Sequence, residues 1–319
     1  MPELPEVETS VRGISSLSGE KIQQIKVHIP KLRWPIKEND FLDLEDRKIV
    51  SIYRRAKYII FNCEEKFLVL HLGMTGTLRI IPTKSNEYKK HDHVELIFKK
   101  NKLIFNDPRR FGSIHITNNI NEHFLIKNLG VEPLDEVFNE DYLYTKIKKS
   151  NASIKSLIMN QKIVVGIGNI YANEVLFLSR INPRKKGKYI TRKNASEITK
   201  HSKSILRKAI DAGGTTLQDF FSPSGNKGYF KVDLNVYEHI ENKWGEKLKL
   251  IFNRNKKGQI QSIVDTYKKV KTPFIFHCED DWVYTRSGFI EDSLRILQTD
   301  QKIIQVWLES KESASRLDI

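Results

Sequence analysis

Three residues near the amino end of the chain could together carry out covalent and acid–base chemistry on a sugar. If Met1 is removed, as is usual before a small residue, Pro2 has a free secondary amine. Such amines titrate near ~7.7–8.0, so a useful fraction is uncharged at neutral pH and can attack a sugar C1′ to form an iminium. Glu3 and Glu6 lie within one helical turn and could transfer protons. A proline and acidic residues are also common at a helix start, so this segment alone leaves both interpretations open.

Lys57 is a further candidate for chemistry. It follows Arg54-Arg55-Ala56 and begins an apolar stretch that reads as a strand. At the edge of a strand its ammonium group could reach a phosphate or donate a proton. By itself, a lysine in this position is more readily explained as a solvated charge.

Two loops carry side chains suited to a nucleotide that has been flipped out of a duplex. The turn at 71–76 has Met74 at its tip, and the turn at 107–112 carries Arg109 and Phe111. An enzyme that acts on a base in duplex DNA must extrude it, and an apolar wedge, a guanidinium or a ring can fill the gap. Ordinary core packing is the alternative for Met74 and Phe111.

A glycine-rich turn at 166–169 precedes a predicted helix. Backbone amides at a helix N-terminus, with Asn169 beside them, could bind a phosphate. The turn is not a dinucleotide-binding fingerprint, because a helix rather than a strand precedes it.

The elements that must position these residues predict an α+β architecture. A helix with apolar residues at helical spacing covers 3–18, and short runs rich in β-branched and aromatic residues follow it. Closely spaced strands indicate a two-sheet sandwich. We predict strands at 22–29, 47–53, 57–62, 66–72, 77–82, 92–99, 102–106 and 112–117. We predict helices at 122–129, 140–148, 151–159, 168–180 and 194–212.

The composition favours a polyanionic partner. The 319 residues include 54 Lys and Arg against 39 Asp and Glu, a net charge of +15, and the excess lies almost entirely within 1–238. Two cysteines, Cys63 and Cys278, are too few for a disulfide framework and fit a reducing compartment. The sequence shows neither a signal peptide nor a run long enough to span a membrane, so we expect a soluble, cytoplasmic monomer.

Together these segments resemble the bacterial formamidopyrimidine-DNA glycosylase family, the repair enzymes for oxidised purines. The resemblance runs from Met1 to about Tyr237. Its motifs are Pro2-Glu3-Leu4-Pro5-Glu6-Val7-Glu8-Thr9, Arg54-Arg55-Ala56-Lys57-Tyr58, His71-Leu72-Gly73-Met74, His91-Asp92-His93-Val94, Asp107-Pro108-Arg109-Arg110-Phe111-Gly112, Gly166-Ile167-Gly168-Asn169-Ile170-Tyr171-Ala172 and Gly213-Gly214-Thr215-Thr216-Leu217.

The resemblance implies a role for each candidate in the reaction. Pro2 would be the Schiff-base nucleophile at C1′, and Glu3 would donate and accept protons during base removal and opening of the sugar ring. Glu6 would help to hold the site. Lys57 would bind phosphate and donate a proton in β-elimination. The implied enzyme is a DNA glycosylase and abasic-site lyase of base excision repair, acting on 8-oxoguanine and formamidopyrimidines in double-stranded DNA.

The resemblance also implies DNA contacts outside the reacting centre. Met74, Arg109 and Phe111 would fill the void left by the flipped nucleotide, and His91 would contact DNA with Arg109. The phosphate contacts near the lesion would be Lys155, Asn169 and, in place of a family lysine at Ser150, the neighbouring Lys149. The helical region would be the family's helix–two-turns–helix module.

The chain departs from the family pattern after Tyr237. Family members usually end in a four-cysteine zinc finger, but only Cys278 follows here, so we expect no metal and no cofactor. No residue matches the finger's arginine, which leaves δ-elimination open. Residues 272–282, with the acids at 279–281, instead resemble a fragment of a family 2-like glycosyltransferase, although about 80 residues are too few for that fold.

We therefore expect three parts: a catalytic sandwich at 1–120, a helical DNA-binding domain at 121–238, and an atypical tail at 239–319. Two alternatives to the glycosylase remain at this point. One is a catalytically impaired DNA-binding module from a fused or truncated gene. The other is sugar transfer by the tail.

Overall fold

The computed structural model describes residues 2–36 and 38–213. Within these ranges it contains two antiparallel sheets followed by a group of helices. The predicted sandwich and helical region are thus confirmed. The glycosyltransferase-like fragment predicted for 239–319 lies outside the described residues.

In the part of the chain that the structure describes, eight strands form two four-stranded sheets. The strands are β1 (Gln24–Val27), β2 (Ser51–Arg55), β3 (Tyr58–Cys63), β4 (Lys66–His71), β5 (Thr77–Pro82), β6 (Asp92–Ile97), β7 (Asn101–Asn106) and β8 (Ser113–Thr117). One sheet has the order β1-β6-β7-β5 and the other the order β2-β3-β4-β8. All neighbouring pairs are antiparallel, and short hairpins join the three consecutive pairs β2-β3, β3-β4 and β6-β7.

Alternating apolar residues build the core between the sheets. On β3, Ile59 and Phe61 face inward and are fully buried, and on β4 Leu68 and Leu70 oppose them. Because successive side chains of a strand point to opposite faces, this alternation places an apolar row on the inner face of the sheet. The result is a rigid platform whose loops carry the candidate residues.

Helix α1 (Leu4–Ile14) joins the sandwich to the helical region. Glu3 and Glu6 form a reciprocal capping box at its start, and Pro5 lies in its first turn. Val7 and Ile14 pack into the core of the sandwich, whereas Leu4 packs into the core of the helical region. The helix is shorter than the predicted 3–18, because a 3-10 turn takes over at Ser15–Leu17.

Up to residue 213, where the described part of the chain ends, four α-helices follow the sandwich: α2 (Glu140–Ile147), α3 (Ile154–Ile158), α4 (Asn169–Leu178) and α5 (Arg192–Asp211). Side chains of Asn139, Ser153 and Thr191 accept backbone hydrogen bonds and fix three of the helix starts. The cap at Ser153 explains why α3 begins later than the predicted 151. None of the described helices is long and apolar enough to cross a membrane.

The helix predicted at 122–129 is wrong. The segment consists of turns, in which the Ile126 amide donates to the His123 carbonyl (2.8 Å) and the Leu129 amide to the Ile126 carbonyl (3.0 Å). Ile126 packs against Ile60 and Val69 on the outer face of the second sheet. Eight residues gain little from helix propagation, so this packing against the sandwich decides the local conformation.

Candidate active site

The amino end of α1 is buried and held by its own carboxylates. Pro2, Glu3 and Glu6 are all buried. The Glu3 amide donates a hydrogen bond of 2.8 Å to Oε2 of Glu6. A buried carboxylate needs such donors to offset the loss of water, and this one fixes the backbone next to Pro2.

The Glu3 carboxylate is bound by the start of α4. Its Oε2 accepts from the Gly168 amide at 2.6 Å, and its Oε1 accepts from the Ile170 amide at 3.0 Å. The partial positive charge of a helix N-terminus favours an anion at this position. These two amides, predicted from the sequence to bind a phosphate, bind an internal carboxylate instead, because folding brings Glu3 to the helix end. Asn169 remains exposed beside them.

Close packing explains both glycines of this turn. Gly166 has φ +80°, and a Cβ there would lie 2.7 Å from the Leu4 side chain. A Cβ on Gly168 would lie 2.4 Å from Cδ of Glu3. The Leu4 amide also donates to the Gly166 carbonyl at 3.0 Å. The turn therefore requires glycine because α1 passes against it.

Tyr171 is a site residue to which the sequence reasoning gave no role. Its phenol donates a hydrogen bond of 2.9 Å to Oε1 of Glu6, and its ring is fully buried in α4. Glu6 is thus held by Tyr171 on one oxygen and by the Glu3 amide on the other. The available signal was the position of Tyr171 in the first turn of the helix that follows the glycine turn.

Lys57 is buried with the two acids rather than exposed at a strand edge. It lies in the turn between β2 and β3, after Ala56 at φ +56°, and its exposed fraction is 7%. Burial lowers the pKa of Lys57, and the charges of Glu3 and Glu6 oppose that change. Burial raises the pKa of Glu3, while Lys57 and the amides of α4 act in the opposite direction. The alternative of a solvated charge is therefore wrong.

Glu132 holds the turn that carries Lys57. Its carboxylate accepts from Arg54 (2.5 Å), Arg55 (2.9 Å) and the Ala56 amide (2.7 Å). Arg55 also donates to the Gly130 carbonyl at 2.6 Å. Spacing could not reveal Glu132, because its partners lie more than seventy positions earlier in the chain. This network fixes the backbone immediately before Lys57.

The two predicted gap-filling loops contact one another. Gly73 has φ +66°, and a Cβ there would lie 2.4 Å from the Gly112 amide nitrogen. Asp107 joins the loops, since it accepts from Thr75 at 2.6 Å and from the Gly112 amide at 2.8 Å. This packing brings the two predicted loops into one structural unit.

The side chains at the tips of these loops are exposed. Met74 is 38% exposed and Phe111 is 46% exposed, so neither is a core residue. The guanidinium of Arg109 lies 5.0 Å from the centre of the Phe111 ring. An apolar side chain, a cation and a ring are therefore displayed on adjoining loops, as wedging into a base stack requires.

Two histidines flank these loops. His91 has φ +75°, and its carbonyl accepts from the Asp107 amide at 3.1 Å, which ties it to the second loop. His71 is a residue that sequence reasoning left without a role. Burial, together with the charges of Lys57 and Arg33, lowers its pKa to about 4, so it is neutral at physiological pH.

The predicted phosphate contacts of the helical region occupy its surface. Lys149 is exposed after α2, Asn169 is exposed at the first position of α4, and Lys155 is half-buried in α3. Among the described residues, no hydrogen bond or ion pair joins Lys149 or Lys155 to the buried acids and Lys57. The structure therefore places these three outside the buried cluster.

The residues present do not fit the four-cysteine zinc site that the family resemblance implies. Of the two cysteines in the sequence, Cys63 is buried in β3 within the sandwich. Within residues 2–36 and 38–213, no three His, Cys, Asp or Glu side chains are grouped as a metal site requires.

Two family profiles match the chain. Residues 1–114 match the formamidopyrimidine-DNA glycosylase N-terminal domain, and residues 129–221 match the formamidopyrimidine-DNA glycosylase H2TH domain. The chain is 47% identical to the formamidopyrimidine-DNA glycosylase of Hydrogenovibrio crunogenus over 240 residues, which are 74% of this chain and 85% of that protein. It is 46% identical to that of Haemophilus influenzae over 239 residues, which are 74% of this chain and 88% of the relative.

Solved structures with bound DNA are also similar. A complex of Lactococcus lactis formamidopyrimidine-DNA glycosylase with DNA containing an abasic site superposes with a TM-score of 0.66 at 33% identity. The match covers 73% of this chain and 86% of that one. A complex of the Lactococcus lactis protein with DNA containing Fapy-dG gives a TM-score of 0.63 at 34% identity, over 70% of this chain and 84% of that one.

Proposed function

The chain belongs to the formamidopyrimidine-DNA glycosylase family, and we propose that it acts through the amine of Pro2, assisted by Glu3, Glu6 and Lys57. It is a DNA glycosylase and abasic-site lyase that excises oxidised purines from damaged DNA in base excision repair. The observation that carries the proposed mechanism is the burial of two acids and a lysine next to the start of the chain at Pro2, with the first of these acids bound by a backbone amide of α4.

The first step is base removal. The uncharged Pro2 nitrogen bonds to C1′ as the bond between C1′ and the damaged base breaks, and the N–H proton passes to the departing base. The C1′–O4′ bond then opens and O4′ takes the proton held by Glu3, which leaves an iminium between Pro2 and C1′. Burial supports Glu3 as this donor, because its raised pKa keeps a larger fraction protonated than in an exposed glutamate.

The second step is strand cleavage by β-elimination. The iminium acidifies C2′, which loses a proton, and the C3′–O3′ bond breaks so that the 3′ part of the strand leaves as a phosphate monoester. Lys57 suits the leaving phosphate because it is a buried cation whose lowered pKa makes it a better proton donor than an exposed lysine. We make no assignment for δ-elimination.

The exposed loop residues suit the flipping step that must come first. A base in a duplex cannot reach a buried amine unless it leaves the stack. We propose that Met74, Arg109 and Phe111 occupy the gap, supported by their exposure on adjoining loops. His91, Lys149, Lys155 and Asn169 are proposed as further DNA contacts, supported by their surface positions.

Borohydride trapping tests the mechanism. Borohydride reduces an iminium to a stable amine, so incubation with duplex DNA carrying 8-oxoguanine should yield a covalent protein–DNA adduct. Pro2→Gly, or a blocked amino terminus, should lose most of it, and the surface control Lys21→Gln should keep it. If lesion DNA is bound but never trapped, the chain is a DNA-binding module without this chemistry and the mechanism is overturned.

Domain limits and location are further proposals. The profile matches at 1–114 and 129–221 support a boundary near residue 120, and we keep 238 as the proposed end of the helical domain.

We propose a bacterial cytoplasmic location, supported by the bacterial source of the relatives and by a genomic substrate. Cell fractionation with immunodetection tests it, and recovery in the membrane or periplasmic fraction would contradict it.

A further inference from the structure

The helical region has a surface of uncompensated positive charge beyond the residues assigned above. Glu174 is the only acidic residue between Tyr142 and Ser196, and it is buried. Arg184, Lys186 and Lys188 lie in this stretch, on the loop before α5, and all three are exposed. We call these three side chains the flank ridge. Among the described residues, none of them pairs with a carboxylate.

Hydrogen bonds hold the loop of the flank ridge against the segment that carries the predicted phosphate contacts. The Ile154 amide donates to the Lys185 carbonyl at 2.8 Å, and the Lys155 amide donates to the Pro183 carbonyl at 3.2 Å. Further on, the Lys188 amide donates to the Ser150 carbonyl at 2.9 Å. The ridge is therefore adjacent to Lys149 and Lys155 and rigidly connected to them.

The buried glycine at the centre of this loop explains its close approach. The Gly187 amide donates to the Ala152 carbonyl at 3.0 Å, and a Cβ on Gly187 would lie 2.6 Å from the Ile147 carbonyl oxygen. The loop is pressed onto the end of α2, so the backbone that carries these cationic residues is held close to that helix. Cationic residues on such an anchored backbone lose less conformational freedom on binding than those of a flexible basic tail.

Aromatic rings accompany the cations. Tyr189 is 60% exposed, and the Lys188 ammonium lies 5.2 Å from the centre of its ring. Such a ring limits where the lysine side chain can go while leaving its charge available to an anion. The phosphates repeated along a nucleic-acid strand are anions that suit several unpaired cations on one loop.

We propose that the flank ridge binds the phosphate backbone of double-stranded DNA beside the lesion, as an extension of the contacts proposed for Lys149 and Lys155. The inference rests on the proposed function, since it assumes that DNA lies along Lys155. Duplex DNA is favoured over an acidic protein partner because the ridge continues directly from the predicted lesion-side contacts. Its role is to lengthen the bound stretch of duplex, not to take part in base removal.

The experiment compares two duplex lengths. Both duplexes carry a central tetrahydrofuran abasic analogue: one of about 10 base pairs ends near the lesion, and one of about 25 base pairs extends past the ridge. Dissociation constants are measured against salt for the wild type, for the triple variant Arg184→Gln/Lys186→Gln/Lys188→Gln, and for a charge-matched control. The control is Lys84→Gln/Lys99→Gln/Lys100→Gln, three exposed lysines at the end of the first sheet away from His91 and Asp107.

On the long duplex, the triple variant should bind at least about tenfold more weakly at low salt. Its slope of log affinity against log salt should be shallower by about 2–3, because each lost phosphate contact removes about 0.9. On the short duplex, the dissociation constants and salt slopes of the triple variant, the control and the wild type should be equal. Borohydride trapping on that duplex should be unchanged. Thermal melting checks that all three proteins are equally folded.

Equal slopes for the wild type and the triple variant on the long duplex would overturn the proposal. So would an equal loss in the lysine control, or an equal loss on the short duplex. If trapping fails in every protein while the slope still changes on the long duplex, the proposed chemistry is wrong and the flank ridge stands.

Discussion

The carboxylate of Glu3 accepts a 2.6 Å hydrogen bond from the backbone amide of Gly168, a residue 165 positions later in the chain. This contact joins the amino end of α1 to the N-terminus of α4. The helical region therefore fixes the position of Glu3, although Glu3 precedes the sandwich in the sequence. A substitution at Glu3 or at Gly168 should therefore disturb the proposed proton donor.

Gly168→Ala should remove activity without unfolding the protein. The backbone at Gly168 has φ −121°, which alanine tolerates, but its Cβ would lie 2.4 Å from Cδ of Glu3. The carboxylate must move, and misplacing an acid–base group costs about a hundredfold or more. Single-turnover base excision measures the loss. Asn173→Ala, an exposed change on the same helix, is the control, and full activity in Gly168→Ala would contradict the arrangement.

Tyr171→Phe should lower stability and slow the chemistry together. The change removes the 2.9 Å hydrogen bond to Glu6. Loss of a hydrogen-bond donor to a buried carboxylate costs about 1–3 kcal/mol of unfolding free energy. Because Glu6 also holds the Glu3 amide, the excision rate should fall while DNA affinity stays within about twofold.

Tyr142→Phe separates the two effects of that change. The Tyr142 phenol donates a hydrogen bond of 2.8 Å to the Ile163 carbonyl and not to Glu3 or Glu6. The variant should therefore lose stability and keep its excision rate. Urea denaturation and single-turnover kinetics on both variants provide the comparison. Equal excision rates for the two variants would show that Tyr171 has only a structural role.

The stability of Glu3→Gln relative to the wild type should increase with pH. Burial raises the folded pKa of Glu3 above its ordinary value of 4.5. Below pH 4.5 the Glu3 carboxyl is protonated in both the folded and the unfolded protein, so its favourable contribution to the free energy of unfolding is fully present. As the pH rises through the folded pKa, the folded protein must ionise a buried acid and this contribution is lost.

Glutamine does not titrate, so the difference in unfolding free energy should shift in favour of the variant as the pH rises from below 4.5 to above the folded pKa of Glu3. Urea titrations across that range measure the shift. Glu65→Gln, at an exposed turn, provides the baseline. Parallel curves for Glu3→Gln and the wild type would refute the assigned direction of the pKa change.

Glu132→Gln should destabilise the protein strongly. Arg54 is 9% exposed and Glu132 is 14% exposed, and removing one partner of a buried ion pair costs about 3–5 kcal/mol. Arg192→Gln breaks an exposed ion pair with Asp141, for which a cost of about 0–1 kcal/mol is expected. Chemical denaturation compares the two variants. Similar losses in both would contradict a structural role for Glu132 beneath the Lys57 turn.

Met74→Ala and Phe111→Ala should weaken lesion recognition without affecting folding. Neither side chain packs into a core, so stability should change by less than about 0.5 kcal/mol. Loss of a stacking or wedging side chain should reduce excision from duplex DNA by about tenfold. Leu42→Ala, also exposed, is the control. A fluorescent base analogue opposite the lesion reports flipping, and normal flipping in both variants would exclude this role.

Much of the fold could be predicted from local patterns. Runs rich in β-branched and aromatic residues, such as 58–63, and helical spacing in α1 predicted most elements, because both patterns reflect local conformational preference and burial. The turns at 122–129 were mispredicted because Ile126 is anchored on the sandwich, a contact between distant segments. The limits of α3 differ for a local reason, the hydrogen bond from the Ser156 amide to the Ser153 side chain.

The sequence by itself determined the types of reacting groups: an amine at Pro2, two acids one turn apart, a lysine after two arginines and a turn with two glycines. The tertiary structure alone decided their environments. It buried Lys57 with Glu3 and Glu6, directed the amides of α4 to Glu3 rather than to the surface, and recruited Tyr171 and Glu132. Burial and long-range hydrogen bonds depend on contacts between residues far apart in the chain, so the spacing of residue types does not specify them.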